Sequence, residues 1–319
     1  MIKQRAKILS SVDLSGAPQA VEQLSNAGEL IVTTPQRRKI LPLLRDVDAY
    51  LASAAVQVDA ELLDAAPELK LIGSPSTGTD HLDLKELKKR GIIVYDIATE
   101  YELLNQFTAT SELAFTLILS LIRKIIPASI AAQDGIWARE RFSGYQLHGK
   151  TIGILGLGRL GKITARIAQG FGMNVIAHDP AQPFAEKVQH VTFEQLLKSS
   201  DILSVHIHLN EFTEELINKE AFRLMKPTAV LINTSRGKII DETALLEALK
   251  SGEIAGAGLD VINGEWLDKQ ELRQHPLIEY SRANNNLIIV PHIGGSTTES
   301  INLARIFMAK KIVRFLENL

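Results

Sequence analysis

The 319 residues carry 35 Lys plus Arg against 37 Asp plus Glu, a formal net charge of −2, with 45% apolar residues and no cysteine. This length and apolar content suit two domain-sized cores rather than one. The balanced, interspersed charge leaves no electrostatic footprint for nucleic acid or an anionic membrane, and the absence of thiols excludes disulfides, thiolate metal sites and a cysteine nucleophile. The opening Met1-Ile2-Lys3-Gln4-Arg5-Ala6-Lys7 has no apolar leader core, and the most apolar run, residues 113–122, is about half a bilayer span, so a cytoplasmic protein without membrane contact is expected.

In chain order, short apolar runs of strand type at residues 7–10, 30–33, 49–52, 69–73 and 92–95 alternate with helical patterns such as 20–27 and 84–90. Alternation of this kind predicts a parallel sheet with helices on both faces. Lys85, Lys88, Lys89 and Arg90 read as the solvated end of a helix closed by Gly91. After an irregular stretch, 97–106, Leu113, Leu117, Leu121 and Ile125 recur every four residues and predict one long helix over 110–126. A second strand series follows at 152–155, 175–177, 202–205, 229–232, 255–259 and 287–290, and six strands suit a dinucleotide-binding sheet. The closing helix, 300–316, adds no strand and is expected to return to the first domain. The expected organisation is a substrate-binding domain of residues 1–104 and 294–319, interrupted by a nucleotide-binding domain of residues 105–293, the two crossings forming a hinge. Residues 98–106 and 267–286 read as long loops.

The sharpest motif is Gly156-Leu157-Gly158-Arg159-Leu160-Gly161. It follows the strand-like run 151–155 and opens a helix with apolar Leu160, Ile163, Ile167 and Phe171. Asp179, 18 positions past the last glycine, ends a second strand. The glycines permit a tight turn, close approach of the backbone to a pyrophosphate and helix-on-sheet packing, while N–H groups at the helix start face phosphate. An acid at position 179 bonds a ribose diol and repels a 2′-phosphate, and Pro180-Ala181-Gln182-Pro183 adds no cation, so NAD is expected rather than NADP.

Three later segments end predicted strands, the edge where open α/β sheets bind ligands: Asn233-Thr234-Ser235-Arg236-Gly237, the run from Leu259 and Asp260 to Glu265, and Pro291-His292-Ile293-Gly294-Gly295. With these the chain resembles the D-isomer-specific 2-hydroxyacid dehydrogenases nearly end to end, and the last turn leans toward their D-3-phosphoglycerate dehydrogenase branch. About 150 residues precede the glycine motif, unlike the L-lactate type, whose nucleotide fold begins the chain. The resemblance implies two doubly wound domains, a Rossmann NAD-binding domain inserted into a flavodoxin-like substrate domain. It implies NAD-dependent interconversion of a 2-keto acid and a D-2-hydroxy acid, and a homodimer formed through the nucleotide-binding domain. It further implies a catalytic triad of Arg236, Glu265 and His292, with Asp260 on the nicotinamide amide. Thr110, His206 and Thr234 would join Gly156, Gly158, Arg159, Leu160, Gly161 and Asp179 around the cofactor. In the first domain, Ser74-Pro75-Ser76-Thr77-Gly78-Thr79-Asp80 resembles the substrate loop, with the Thr77 and Gly78 N–H groups on the substrate carboxylate.

The residue types suit the chemistry. Reduction of a keto group builds negative charge on oxygen, which an imidazolium such as His292 can neutralise by proton delivery near neutral pH. A carboxylate such as Glu265 beside it favours the charged ring, and the Arg236 fork can grip a carboxylate and polarise the carbonyl. Taken singly, each has a plainer reading: Arg236 a surface ion pair, Glu265 a loop acid, His292 a satisfied core residue. His206 and His208, read as two apart on a strand and so on one face, lack a third ligand, and no metal is expected. The chain departs from the phosphoglycerate branch at Leu51-Ala52-Ser53-Ala54-Ala55, where Ala52 and Ala54 replace phosphate-binding cations, although Arg139 or Arg141 could compensate. Trp266 stands where the family has a proline after the acid. An NAD(H)-sensing binding protein, akin to the family's co-repressor branch, is the alternative to an enzyme.

Overall fold

A computed structural model of the chain describes residues 5–182, 185–265 and 269–319; Pro183, Trp266 and Leu267, singled out above, lie outside the described residues. The chain divides into two compact units, one of Met1–Phe107 with Ser296–Leu319, the other of Thr108–Gly295.

In the first unit, β1 (Ala6–Ser10), β2 (Gly28–Val32), β3 (Ala49–Leu51), β4 (Leu71–Gly73) and β5 (Ile93–Tyr95) form a parallel sheet of order β2-β1-β3-β4-β5, the flavodoxin-like order. Side chains alternate across a strand, so a sheet covered on both faces needs continuous apolar runs. Ile8, Leu51 and Leu71 accordingly pack on one face with Leu24, Met308 and Ile312, while Leu9, Tyr50 and Ile72 pack on the other with Ile40, Val47 and Leu62. The closing helix, Thr298–Glu317, thus supplies part of the first core from the far end of the chain.

The second unit holds β6 (Thr151–Leu155), β7 (Asn174–His178), β8 (Gln189–His190), β9 (Ile202–Val205), β10 (Val230–Asn233), β11 (Gly256–Leu259) and β12 (Leu287–Ile289). They form one parallel sheet of order β12-β11-β10-β9-β6-β7-β8. The order reverses direction at the β6–β9 pair, which places the ligand-binding crevice of such a sheet at the carboxyl ends of those two strands. Ile152 and Ile154 pack on one face with Ala114, Ile118 and Ala165, and Leu203, Val205 and Leu231 on the other with Phe222, Leu245 and Leu249.

Three features differ from the sequence expectation. β8 is a seventh strand, too short and polar at Gln189–His190 to leave an alternation pattern. The long helix ends at Ile122, and a second runs from Ile125 to Gln133 after Lys124 in the left-handed region (φ 51°). Pro127 explains the break, since its ring clashes with the carbonyl four residues back and it lacks the N–H of a continuing helix; it fits only in a first turn. The two long loops also contain short helices, Tyr101–Leu104, Lys269–Arg273 and Pro276–Ala283. No single helix among the described residues is long and apolar enough to cross a membrane.

Candidate active site

The glycine turn leaves the end of β6 with Gly156 at φ +91°, where a Cβ would meet the His206 carbonyl oxygen at 2.6 Å. A Cβ at Gly161 would overlap the Gly156 carbonyl, whereas one at Gly158 would meet nothing within 4 Å. Two glycines therefore serve packing, and the middle one keeps space open at the start of helix Arg159–Gly170, which has no side-chain cap on its first turn. A diphosphate fits that cradle. Leu160 contributes its carbonyl, which accepts from Ser111 Oγ at 3.1 Å, and burial depresses the Arg159 guanidinium. Asp179, just past β7, accepts from the Leu157 N–H at 2.8 Å and the Ala181 N–H at 2.9 Å, so its carboxylate is fixed beside the glycine turn.

The histidines past β9 are not a strand pair: β9 ends at Val205. His206 bonds Ser204 Oγ through Nε2 at 2.8 Å, and burial pushes its imidazole down to about 4, so it is neutral; His208 is exposed. His206 Nδ1 and Thr234 Oγ1 are buried and find no partner among the described residues, the condition of groups completed by a ligand or water. Together with the Gly158 opening, these atoms fit a bound dinucleotide. Thr110 lies inside the first turn of helix Ala109–Ile122, whose N-cap residue is Thr108, and Thr110 Cγ2 lies close to Gly294.

Arg236 follows β10 on a turn held by Asn233. The Asn233 amide donates to the Arg236 carbonyl at 2.9 Å and accepts from the Ser235 N–H at 3.0 Å, while Ser235 Oγ donates to the Val205 carbonyl at 2.9 Å. The Arg236 guanidinium donates to the Ser235 carbonyl at 2.8 Å.

Asp260, 2% exposed at the end of β11, organises the histidine turn. Its carbonyl accepts from the His292 N–H at 2.8 Å, and its carboxylate accepts from the Ile293 N–H at 2.6 Å and the Gly294 N–H at 2.9 Å. Burial raises the Asp260 carboxyl while those two N–H groups lower it. This wrapping holds His292 at φ 53°, an uncommon conformation for a residue with a Cβ. His292 Nδ1 lies 2.9 Å from Glu265 Oε1, with side chains 36% and 18% exposed. The Glu265 bond holds the His292 pKa above its ordinary value against the opposing effect of burial; Asp260 adds to the rise and the Arg236 charge lowers it. Arg236, Glu265 and His292 are thus brought into one electrostatic set.

In the first unit, the segment after β4 is internally braced: Ser74 Oγ bonds Ser76 Oγ at 2.9 Å and His81 Nε2 at 3.2 Å, and Ser76 Oγ donates to the Gly78 carbonyl at 2.7 Å. Thr77 and Gly78 lie within that braced segment. Ser76, Asn233 and Ser235 stood in the segments quoted from sequence but without a role of their own, and His81 and Ser204 were not singled out, because a side chain that braces a turn has no period or spacing of its own.

Comparison with known proteins shows what the chain is similar to. The sequence profile described as "D-isomer specific 2-hydroxyacid dehydrogenase, NAD binding domain" matches residues 115–294. A glyoxylate reductase of Thermococcus litoralis is 40% identical over 295 residues, 88% of this chain and 84% of that one. A hydroxypyruvate reductase of Thermotoga maritima is 34% identical, covering 93% and 95% of the two chains. A D-lactate dehydrogenase from Aquifex aeolicus, solved with NAD and lactic acid, superposes with a TM-score of 0.83 at 28% identity over 98% of this chain and 97% of that one.

Proposed function

We infer the reaction from one premise: the chain belongs to the D-isomer specific 2-hydroxyacid dehydrogenase family and is an NAD-dependent oxidoreductase acting on small 2-keto and 2-hydroxy acids. Within that class we propose reduction of a short, unphosphorylated 2-keto acid such as glyoxylate or hydroxypyruvate, with catalysis by Arg236, Glu265 and His292. The observation that carries the catalytic assignment is the 2.9 Å His292–Glu265 contact on a turn wrapped around Asp260.

The bound cofactor supplies hydride from C4 of its nicotinamide. His292, with Nδ1 engaged by Glu265, offers Nε2 to the keto oxygen and delivers the proton that neutralises the developing alkoxide. Glu265 favours the protonated ring by raising the His292 pKa, and in the oxidative direction the same ring is the base. Arg236 binds the substrate carboxylate and polarises the carbonyl. Asp179 accepts from the adenosine ribose, Thr110, His206 and Thr234 line the cofactor site with the glycine turn, and Thr77 and Gly78 offer N–H groups to the carboxylate. Asp260 is given two tasks, the nicotinamide amide and the support of the His292 turn.

The preference for an unphosphorylated acid rests on Ala52, fully buried, and Ala54, where a phosphate would want cations. The relatives named glyoxylate reductase and hydroxypyruvate reductase support the same substrates, and their being enzymes supports turnover over the binding-protein alternative. We also propose a cytoplasmic homodimer. Helix Ile125–Gln133 buries none of its residues, yet bears Ile125, Ile126 and Ile130, and Trp137 beyond it is 88% exposed. An apolar face of this kind suits a second copy of the chain.

The direct test is NADH oxidation with glyoxylate, hydroxypyruvate, pyruvate and 3-phosphohydroxypyruvate. Higher kcat/KM for the first two is expected. A preference for the phosphorylated acid would overturn the substrate assignment.

A further inference from the structure

We propose that Glu242 and His275 are positioning residues: together they clamp the main chain of Asn263, two residues before Glu265, and so set the reach of Glu265 to His292. The proposal rests on the reading of His292 as proton donor. The Asn263 N–H donates to Glu242 Oε1 at 2.7 Å, and His275 Nε2 donates to the Asn263 carbonyl at 3.1 Å while lying 3.3 Å from Glu242 Oε2. Both polar groups of one peptide residue are therefore held by two side chains that also hold each other. These side chains are only 18% and 10% exposed. His275 Nδ1 is buried without a partner among the described residues, so Nε2 is the nitrogen that carries the ring's useful proton.

Each clamp residue is itself anchored at a helix start. Glu242 is the first residue of helix Glu242–Ser251, whose N-cap Asp241 accepts from the Ala244 N–H at 3.0 Å. His275 is the N-cap residue of helix Pro276–Ala283, with proline in its first turn. Gly237 touches the same segment: a Cβ there would overlap the Ile262 carbonyl carbon and the Asn263 nitrogen. The peptide is thus in contact with Gly237 of the Arg236 turn and bonded by the Glu242–His275 pair. Gly264 then turns the chain through φ +75° and delivers Glu265. Burial raises the Glu242 carboxyl, opposed by the Asn263 N–H and by His275. Among the described residues the charged groups that shift His292 are Glu265, Asp260 and Arg236, so the clamp acts on the ring through Glu265.

The test is keto-acid reduction by His275→Phe, His275→Gln, Glu242→Gln and His292→Asn over a range of pH, with NADH binding followed by fluorescence. His275→Phe keeps the ring volume and removes the donor. It should lower kcat roughly tenfold, well short of loss of the acid itself, with keto-acid KM and NADH affinity little changed. The alkaline limb of its profile should move to lower pH, because a loosened Glu265 no longer supports the His292 imidazolium while Asp260 and Arg236 are unaltered. His275→Gln places a donor near the Nε2 position and should recover most of kcat. Glu242→Gln should shift the limb in the same direction and decides the question if His275→Phe does not fold. A wild-type kcat and pH profile in His275→Phe or, failing that, Glu242→Gln would overturn the proposal, as would His275→Gln no better than His275→Phe. Those outcomes beside an inactive His292→Asn would leave the catalytic reading standing. Normal turnover by His292→Asn would overturn that reading and this proposal with it.

Discussion

Replacing Asp260 with asparagine tests whether that residue builds the catalytic turn or only holds the cofactor. The two carboxylate oxygens accept from Ile293 and Gly294, and the shorter contact, 2.6 Å against 2.9 Å, would keep the amide oxygen of the variant. The NH2 would then face the Gly294 N–H, donor against donor. A buried N–H left without an acceptor costs ~1–3 kcal/mol, and exchanging a charge-assisted bond for a neutral one about 1 kcal/mol more. Burial raises the Asp260 carboxyl, so removing the charge offsets part of this, leaving a net loss of about 2 kcal/mol. For a unit of this size that is a fall in Tm of ~4–8 °C, measured by calorimetry on protein without cofactor. A left-handed non-glycine residue costs ~1–3 kcal/mol and persists only while its surroundings enforce it. His292 at φ 53° should therefore lose definition, lowering kcat by up to ~30-fold at that net loss. If Asp260 served the nicotinamide alone, the variant would weaken NADH binding and leave the cofactor-free melting temperature unchanged. That result would refute the argument.

His292→Asn should lower turnover ~10²–10⁴-fold while NADH still quenches protein fluorescence, and near-normal turnover would remove His292 from the reaction. Reduction needs the imidazolium, so its rate should fall as pH rises through the His292 pKa, which Glu265 holds above the ordinary value. Glu265→Gln should move that fall to lower pH, read from kcat profiles. Changing Asp179 to serine and Ala181 to arginine together should shift kcat/KM from NADH toward NADPH, since the change removes a repulsive charge and adds a phosphate partner; equal kcat/KM for both cofactors in the unaltered protein would show that Asp179 does not reach the ribose. Trp137→Glu should convert a dimer to a monomer in light scattering after size exclusion, with Tm read alongside to exclude unfolding.

The parts of the fold legible in sequence were those with an unbroken apolar run or a helical period. Buried parallel strands such as 202–205 and 152–155 are continuous apolar runs, and of the twelve strands among the described residues only β8 left no such mark. The helix break at Lys124 was carried by Pro127, a local signal that the four-residue apolar repeat outweighed. Helix Pro276–Ala283 likewise had its proline in the first turn but too short an apolar stripe to stand out. Around the site, charged residues at strand ends were visible because chemistry limits their types. The partners that hold them were not: Asn233 braces its own turn through short-range bonds to backbone, while Ser235 and Glu242 bond backbone of segments that only folding brings together.

The closing helix has a consequence for how the chain folds during synthesis. Met308 and Ile312 meet Ile8 and Leu24, nearly the whole chain apart, and such contacts form only after a very large loop closes. The Thr108–Gly295 unit has all its strands before that helix is made, so it is free to fold first, in reverse of the usual order of emergence. Until the helix arrives, the face of the first sheet at Ile8, Leu51 and Leu71 lacks the part of its cover that Met308 and Ile312 supply, although Leu24 is already in place. That interval, rather than any step in the nucleotide unit, is when the nascent protein is most exposed to aggregation and to chaperone capture.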